Sequence, residues 1–284
     1  MNCLTCVYLT NLLAKVTSAF HKHTRLQNEA MKCNDVELAK YHEREIEKIG
    51  GRQAYQAASV LSVKHFSTSK WVLSSLRKLG FLKMGRQDNN KSLSLLEIGA
   101  INNELIEAGI RSKIDSNKTR INVRAIDVQS QHPGIEEMDF FNLPDPYHEK
   151  KSDNVVFDVI VCSMVINCVP TPEQRGQMLS KIRRHMNSEA LLFLTLPLTC
   201  LVHSKYIDRD SFRKLLNALG YQLIEEKESP KVAFYILKLA QNSSPSLEKH
   251  SLGEKHVCQK LSVIKRGKKY RVDFGIVISS NSSH

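Results

Sequence analysis

Residues 93–100 constrain most strongly the fold that this chain can adopt. They read Leu-Ser-Leu-Leu-Glu-Ile-Gly-Ala, an apolar run that ends in an acid and a glycine, and an apolar-periodic segment follows. This is how the first strand of an open α/β sheet passes into its first helix. The glycine allows a sharp turn close to a ligand, and the following helix offers free N–H groups to an anion. A plain β–α turn has the same pattern, so the stretch alone leaves both interpretations open.

The segments that follow alternate between strand and helix patterns. Strands are predicted at 93–98, 121–126, 155–162, 190–196, 221–226 and 232–239. Helices are predicted at about 102–108, around Met178 to Met186, and from a cap at Asp210 or Ser211 to Gly220. Such alternation implies a mostly parallel sheet that is covered by helices on both faces. The predicted fold class is therefore α/β and Rossmann-like.

Residues 1–90 are predicted to form a basic helical extension, and their net charge of +7 indicates contact with a polyanion such as RNA. Helices are expected between residues 10 and 50, with Asp35 as a cap and a Gly-Gly stop, and again after residue 51. Residues 91–284 are expected to form the main domain. A polar linker is predicted at 241–256, and the hairpin-like tail after it is expected to add a C-terminal strand.

The net charge of +12 is unevenly distributed along the chain. Residues 1–90 carry +7, residues 91–240 are neutral, and residues 241–284 carry +5. A neutral centre with basic ends fits a polyanionic partner such as nucleic acid, and a merely solvated basic surface is the alternative. Because no apolar run reaches the ~20 residues of a membrane span, no membrane association is expected.

The cysteines and the N-terminal residues bear on the compartment and on metal binding. Seven cysteines at scattered positions favour a reducing compartment with free thiols. Cys3 and Cys6 could hold zinc with nearby His or Cys side chains, but without a second Cys-x-x-Cys motif an incidental pair is favoured, and no metal is predicted. An acid-free start with several basic, Ser and Thr residues leaves mitochondrial import open as a minority interpretation.

Polar residues stand where the predicted strands end, and ligands of such sheets bind at the carboxyl ends of the strands. Gly99 follows the first strand, and Asp127 ends the second, where a carboxylate can accept both ribose hydroxyls of a nucleoside. Asp139 could bond an adenine amino group, and Phe140 could stack on its ring. Asn167 follows the predicted strand at 155–162, where a methyl donor would meet its acceptor. Each residue also has a structural interpretation, as a cap, a turn residue or a core aromatic.

The glycine content of the first turn separates two classes of cofactor. Residues 97–102 read Glu-Ile-Gly-Ala-Ile-Asn. A dinucleotide site needs G-x-G-x-x-G, because the backbone must approach the pyrophosphate closely. S-adenosylmethionine (SAM) has no pyrophosphate and tolerates a glycine-poor turn. The sequence therefore favours SAM over NAD.

Several motifs together resemble those of one known family. They are Leu-Leu-Glu-Ile-Gly-Ala at 95–100, Ala-Ile-Asp at 125–127, Ser-Gln-His-Pro-Gly-Ile at 130–135, Asp-Phe at 139–140, the block at 158–170, and Arg-Gly-Gln-Met-Leu at 175–179. Shorter matches at 51–59, 196–200 and 274–278 extend the resemblance over most of the chain from about residue 40. The chain is similar to the fungal large-subunit (25S) rRNA adenine-N(1) methyltransferases.

This resemblance implies a class I SAM-dependent methyltransferase fold and methylation of N(1) of an adenine in 25S rRNA during ribosome biogenesis. By motif position Gly99 and Asp127 would bind SAM, with Asp139, Phe140 and Ser163 beside them. The implied partner is large-subunit rRNA or a pre-ribosomal particle, and the implied location is the nucleus and nucleolus. A monomer is expected.

Asn167 is the candidate for the catalytic role, because its side chain could hydrogen-bond the edge of the target base. A turn asparagine is an equal alternative. A second hypothesis for the whole protein also stays open, since an animal relative of this family works by binding SAM and a protein partner. A non-catalytic SAM sensor or scaffold would share these motifs, whereas the basic ends favour an enzyme that acts on RNA.

Overall fold

The computed structural model describes residues 16, 19–20, 22–55, 67–82, 92–114, 119–130, 132–147, 156–240 and 262–278. By its internal contacts the chain divides into two units, Met1–Trp71 and Val72–His284. The predicted boundary at residue 90, the predicted linker at 241–256 and the Cys3/Cys6 pair lie outside the described residues.

Short helices make up the described part of the first unit. They are α1 (residues 22–32), α2 (Val36–Lys48) and α3 (residues 51–55). Asp35 caps α2 as predicted, because its carboxylate accepts a hydrogen bond from the Leu38 N–H at 3.0 Å. Gly50 and Gly51 separate α2 from α3, and both take the left-handed conformation, with φ of +89° and +64°.

The second unit contains the sheet and the helices that cover it. The helices are α4 (Thr68–Lys78), which crosses the division between the units, α5 (Glu104–Ile114), α6 (Pro172–Arg184), α7 (Thr199–Val202) and α8 (Arg209–Ala218). The strands are β1 (Ser92–Ile98), β2 (Arg120–Asp127), β3 (Glu136–Glu137), β4 (Phe157–Ser163), β5 (Met186–Pro197), β6 (Tyr221–Glu228) and β7 (Val232–Leu239). Within the described ranges no helix is long and apolar enough to cross a bilayer.

These strands form one sheet in the order β3-β2-β1-β4-β5-β7-β6. The neighbours from β3 to β5 pair in parallel, and β7 runs antiparallel to β5 and to β6. Since parallel strands end on the same side, the carboxyl ends of β1, β2, β4 and β5 meet at one edge, named the carboxyl edge from here on. The predicted α/β sheet is confirmed, with β7 as its reversed strand.

Burial on both faces explains why the central strands read as continuous apolar runs. Leu95, Ile160 and Leu192, on three adjacent strands, have no solvent exposure. From the helices, Leu179 of α6 and Leu216 of α8 join the same core. Each such side chain stabilises the fold by roughly 1.5–3 kcal/mol relative to exposure. This packed centre fixes the positions of the strand ends at which a ligand can bind.

The start of α8 and the lengths of two elements differ from the sequence predictions. Asp208, rather than Asp210 or Ser211, caps α8, and its carboxylate accepts the Ser211 N–H at 3.0 Å. Strand β5 begins at Met186 instead of residue 190, and α5 continues to residue 114 instead of 108. The spacing of apolar residues indicates the buried centre of each helix or strand. The ends depend on capping side chains and on strand pairing, which that spacing does not reveal.

Residues 262–278, named the C-terminal strap, do not form the predicted C-terminal strand. Among the described residues, the β contact of the strap is an isolated parallel bridge between Val272 and Ser204. Its apolar residues Phe274, Ile276 and Val277 are buried in the domain core. The apolar pattern of this segment therefore reflects docking onto the domain rather than a place in the sheet.

Candidate functional site

The register of the sheet brings the strand-end residues into one row at the carboxyl edge. Ile98 pairs with Ile126 and with Cys162, so Gly99 is level with Asp127 on one side and Ser163 on the other. Ser163 is in turn paired with Thr195 of β5. The structure thus brings together Gly99, Asp127 and Ser163, as the sequence predicted for neighbouring strand ends.

Gly99 makes the turn that leaves β1, and the turn requires glycine for two reasons. Its φ is +72°, a conformation that side chains with a Cβ rarely adopt. A Cβ at this position would also lie 2.5 Å from a methyl group of Val165, in the loop that follows β4. The Gly99 and Ala100 N–H groups donate to the Ile126 carbonyl at 2.8 and 3.1 Å. The turn is therefore clamped to β2 and pressed against the loop after β4.

Glu97 is a site residue that the motif analysis quoted without assigning it a role. Its carboxylate oxygen Oε2 is buried and has no hydrogen-bond partner among the described residues. Burial, reinforced by the nearby charge of Glu104, raises the pKa of Glu97 to about 8. The recognisable signal is an acid between two buried apolar residues, Leu96 and Ile98, at the end of a strand. Such a carboxyl group favours a cationic ligand, because a positive charge beside it would stabilise the ionised form.

Asp127 combines a role in the turn after β2 with further acceptor capacity at the edge. Its Oδ1 accepts the Gln129 N–H at 2.8 Å, which stabilises the turn. Because a carboxylate has about four acceptor positions, one side chain can hold the turn and also accept ribose hydroxyls. The two interpretations from the sequence, a structural aspartate and a ribose acceptor, are therefore compatible in this one residue.

The loop at residues 164–170, named the site loop, begins under backbone strain. Met164 has φ +60°, which is unusual for a residue with a side chain. Its N–H donates to the carbonyl and to the hydroxyl of Thr195, each at 3.1 Å. The Ser163 and Thr195 hydroxyls are hydrogen-bonded to each other at 2.8 Å. Thr195, which the sequence analysis did not single out, thus holds the start of the site loop.

Asn167 lies in a 3₁₀ turn, Ile166–Cys168, within the site loop. Its amide nitrogen donates weakly to the Cys168 sulfur at 3.4 Å. Its carbonyl oxygen Oδ1 is buried and has no hydrogen-bond partner in the described part of the chain. A buried acceptor without a partner costs about 1–3 kcal/mol of stability. An asparagine that served only the turn would not need to bury its oxygen in this way.

Asp139 and Phe140 each have a structural role in the described structure. Asp139 is exposed and caps the 3₁₀ turn Phe140–Asn142 by accepting the Phe141 N–H at 2.9 Å. Phe140 is 3% exposed and packs in the core, with its ring 5.6 Å from that of His185. Phe140 therefore occupies the core position that the sequence left open as one of its two interpretations. Its stacking on adenine stays a prediction. The role of Asp139 toward a cofactor stays a prediction.

No group of three or more His, Cys, Asp or Glu side chains that could hold a metal ion is found among the described residues. Four cysteines within that part of the chain, Cys33, Cys162, Cys168 and Cys200, carry reduced thiols.

The sheet and its edge have the fold of the class I SAM-dependent methyltransferases: a Rossmann-like sheet with strand 7 reversed between strands 5 and 6, and a glycine-poor first turn. The residues fit SAM, because Glu97 offers a buried acceptor to a cationic cofactor and Asp127 offers a carboxylate to its ribose. The family can be named as well. The chain belongs to the family described as 25S rRNA (adenine(2142)-N(1))-methyltransferase, Bmt2, whose match covers residues 40–270.

Two curated proteins show the same relationship. The chain is 27% identical over 230 residues to the 25S rRNA (adenine(2142)-N(1))-methyltransferase of Saccharomyces cerevisiae. The matched region covers 76% of this chain and 61% of that protein. It is 30% identical over 212 residues to the 25S rRNA adenine-N(1) methyltransferase of Schizosaccharomyces pombe, which covers 71% of each chain. The chain thus spans less than two thirds of the length of the first of these relatives.

A solved structure with similarity to this chain is that of an S-adenosylmethionine-dependent methyltransferase from Clostridium acetobutylicum. It matches with a TM-score of 0.41 and 11% identity, over 61% of this chain and 90% of that chain.

Replacing Glu97 by Gln should stabilise the protein without ligand at high pH. In the folded state the pKa of Glu97 is about 8, well above the ordinary value of 4.5, so wild-type stability falls as pH rises between these two values. A glutamine side chain does not ionise. The difference in melting temperature, Glu97→Gln minus wild type, should therefore be small near pH 5, grow toward pH 8 and then level off. A difference that does not change with pH would contradict the burial of this carboxyl group.

Replacing Asp127 by Asn should weaken SAM binding while the turn survives. The Asn side chain keeps an oxygen for the Gln129 N–H but loses the charge and one acceptor for the ribose hydroxyls. Because hydrogen bonds to charged groups contribute ~1.5–3 kcal/mol, calorimetry should show affinity lower by roughly ten- to a hundredfold. Glu137→Ala, which removes an exposed carboxylate from the neighbouring strand, is the control. Unchanged SAM affinity in Asp127→Asn would reduce Asp127 to a turn residue.

Proposed function

We propose that this protein transfers the methyl group of SAM to N(1) of an adenine in large-subunit rRNA during ribosome biogenesis. Family membership supports the reaction and the class of substrate. The observation in the structure that best supports it is the buried Oδ1 of Asn167, an acceptor in the loop after β4 that has no partner among the described residues. That loop begins at the carboxyl edge, where SAM would bind.

The chemistry of adenine matches this acceptor. On its base-pairing edge adenine presents the N(6) amino group, a donor, beside the N(1) lone pair, which is the atom to be methylated. If Asn167 Oδ1 accepts from N(6), it would hold the base-pairing edge, and with it the N(1) lone pair, at the loop after β4. Guanine presents O(6) and an N(1)–H at these positions and would place an acceptor against Oδ1. The same contact would therefore position the base and select adenine.

The reaction asks for positioning rather than for a strong base. The N(1) lone pair is already nucleophilic, so no proton must leave before the methyl group is transferred. SAM supplies an electrophilic methyl group on a sulfonium, and positive charge passes to the adenine ring as the new bond forms. Asn167 Oδ1 would bind the increasingly positive N(6) amino group more tightly as transfer proceeds, which favours the transition state. The target base must first leave its stack to reach the edge.

A basic turn in the C-terminal strap is the proposed RNA contact within the second unit. This turn, residues 265–271, carries five cations. Lys265 pairs with Asp208 at 3.1 Å, and Arg271 donates to the Lys268 carbonyl, so these two contribute to the local structure. Arg266, Lys268 and Lys269 are exposed in the same turn. Because like charges in one turn repel each other, phosphate binding is the function that their clustering fits.

The location and assembly that follow from this function are also proposals. A protein that modifies large-subunit rRNA during assembly is expected in the nucleolus, as a monomer bound to a pre-ribosomal particle. Imaging of the tagged full chain tests the location, and a mitochondrial signal would instead support the minority interpretation of its N-terminus. Sedimentation of the purified chain tests the monomer.

Removing the amide of Asn167 should lower the rate of methylation without lowering stability. In Asn167→Ala the chain loses a buried acceptor that has no partner in the described part of the structure, so the melting temperature should stay equal or rise. The single-turnover rate at saturating SAM should fall roughly ten- to a hundredfold, as for a hydrogen bond to a charged group. A lower melting temperature with an unchanged rate would make Asn167 a turn residue. SAM binding by the wild type with no methyl transfer to any RNA would support the sensor hypothesis instead.

Changing Lys268 and Lys269 to Ala should weaken RNA binding through phosphate contacts alone. SAM affinity should stay the same, and the slope of log affinity against log salt should shrink by about 0.7–0.9 per lost contact. The matched control is Lys113→Ala with Arg120→Ala, which removes two exposed cations, one in the last turn of α5 and one at the start of β2. Equal losses in both double variants would indicate a general charge effect and not a specific surface.

A further inference from the structure

Arg175, in the first turn of α6, connects the site loop to the C-terminal strap. The residue is 5% exposed, and its Nε donates to the Val169 carbonyl at 2.9 Å. Its Nη2 donates to the Pro170 carbonyl at 3.3 Å, and its Nη1 donates to the Gly275 carbonyl of the strap at 2.9 Å. The guanidinium also lies 4.9 Å from the centre of the Phe274 ring. One buried cation thus holds two segments that are about a hundred residues apart in sequence.

The strap is fitted closely to the same end of α6. The Val277 N–H donates to the Pro172 carbonyl at 2.9 Å. A Cβ on Gly176 would overlap the Val277 carbonyl oxygen, so glycine is needed for the strap to lie this close. Farther along, the Ser204 hydroxyl donates to the Phe274 carbonyl. These contacts fix the strap from both sides of the Gly275 carbonyl that Arg175 binds.

The site loop itself contains features that need support from outside the loop. Met164 holds a left-handed backbone conformation, and Asn167 keeps a buried oxygen without a partner among the described residues, and both features cost free energy. Within the loop, short turn bonds join Cys168 N–H to the Val165 carbonyl at 2.8 Å and Val169 N–H to Ile166 at 3.3 Å. The carbonyls at the end of the loop are the ones that Arg175 binds. A loop under strain keeps such a conformation only when its surroundings fix it.

We propose that Arg175 is a positioning residue that uses the C-terminal strap as an anchor and so holds Asn167 in the orientation needed for methyl transfer. This inference rests on the proposed function, because that function gives Asn167 the role for which its orientation matters. The C-terminal strap would then have two roles. It carries the basic turn proposed to bind RNA, and it fixes the site loop proposed to contact the target base. Arg suits this place better than Lys, because its planar group binds carbonyls in several directions at once.

Two variants test the clamp without removing the site. Gly176→Ala leaves Arg175 in place but forces the Val277 carbonyl away, although alanine is intrinsically the better helix former. Arg175→Lys keeps the charge and can retain part of the hydrogen bonding. Gln177→Ala, an exposed change on the same helix, is the control. All three are made in the full chain.

Loop order and catalysis are measured separately for each variant. Hydrogen exchange of the Cys168 and Val169 amides should be about tenfold faster in both test variants than in the control. SAM affinity should stay within about twofold, whereas kcat should fall by up to about a hundredfold, as for a misplaced reacting group. A further variant, Arg175→Met, leaves the loop carbonyls without a donor, so Arg175→Lys should retain more activity than this variant.

The outcomes separate the clamp from a general loss of structure. Unchanged exchange and unchanged kcat in Gly176→Ala would overturn the proposal, as would SAM affinity, melting temperature and kcat that all fall together. The exchange measurement does not depend on activity. If the wild type proves inactive on RNA, the proposed function fails, and faster exchange in both variants would still establish that Arg175 holds the loop.

Discussion

The close approach of the Gly99 turn to Val165 is the contact on which the rest of the site depends. It presses the end of β1 against the loop after β4, and a single added carbon atom at residue 99 would separate them. The left-handed backbone of Gly99 sends the chain from the strand toward α5 while its N–H groups stay bound to β2. Because three strands meet at this point, the carboxylate of one, the hydroxyl of another and the loop that carries Asn167 share one edge. A parallel sheet provides such an edge, and the glycine lets the turn after β1 approach the loop after β4 closely there.

Two buried oxygen atoms that lack partners within the described part of the chain distinguish this edge from a packed sheet end. Glu97 Oε2 suits a positive charge, and Asn167 Oδ1 suits an N–H donor. The proposed methyl transfer from a sulfonium to adenine would supply both, because SAM is cationic and adenine carries an amino group beside N(1). The folded protein thus bears the free-energy cost of leaving polar atoms unpaired in advance, and a bound cofactor and base would recover it. The strained backbone of Met164 also costs free energy. Thr195 fixes the start of the site loop by accepting the Met164 N–H, and Arg175 fixes its end by donating to the Val169 carbonyl.

Local patterns carried most of the fold and part of the site. The apolar runs located every main strand, and the acid-x-Gly turn and Asp127 marked two strand ends, because a strand end and its neighbouring polar residue are adjacent in sequence. The strap was misread as a strand, since its apolar residues look alike whether they enter a sheet or dock on a helix. For Phe140 the sequence left both a core position and a ligand contact open, because an aromatic next to an acid does not reveal which way its ring points. The structure places the ring in the core. Arg175 was quoted as part of a motif without a role, since its partner Gly275 is about a hundred residues away. Contacts between residues so far apart in sequence depend on the tertiary fold, and no local sequence pattern indicates them.

The central claim is that the carboxyl edge methylates N(1) of adenine. The most direct measurement incubates the purified full chain with SAM and unmodified large-subunit rRNA, and then maps modified nucleotides by mass spectrometry of nuclease fragments. We predict a methyl group on N(1) of an adenine in the wild-type reaction and a strongly reduced yield with Asn167→Ala at the same SAM saturation. A methyl group on another base or another atom of adenine, or SAM binding with no transfer to RNA, would contradict the claim.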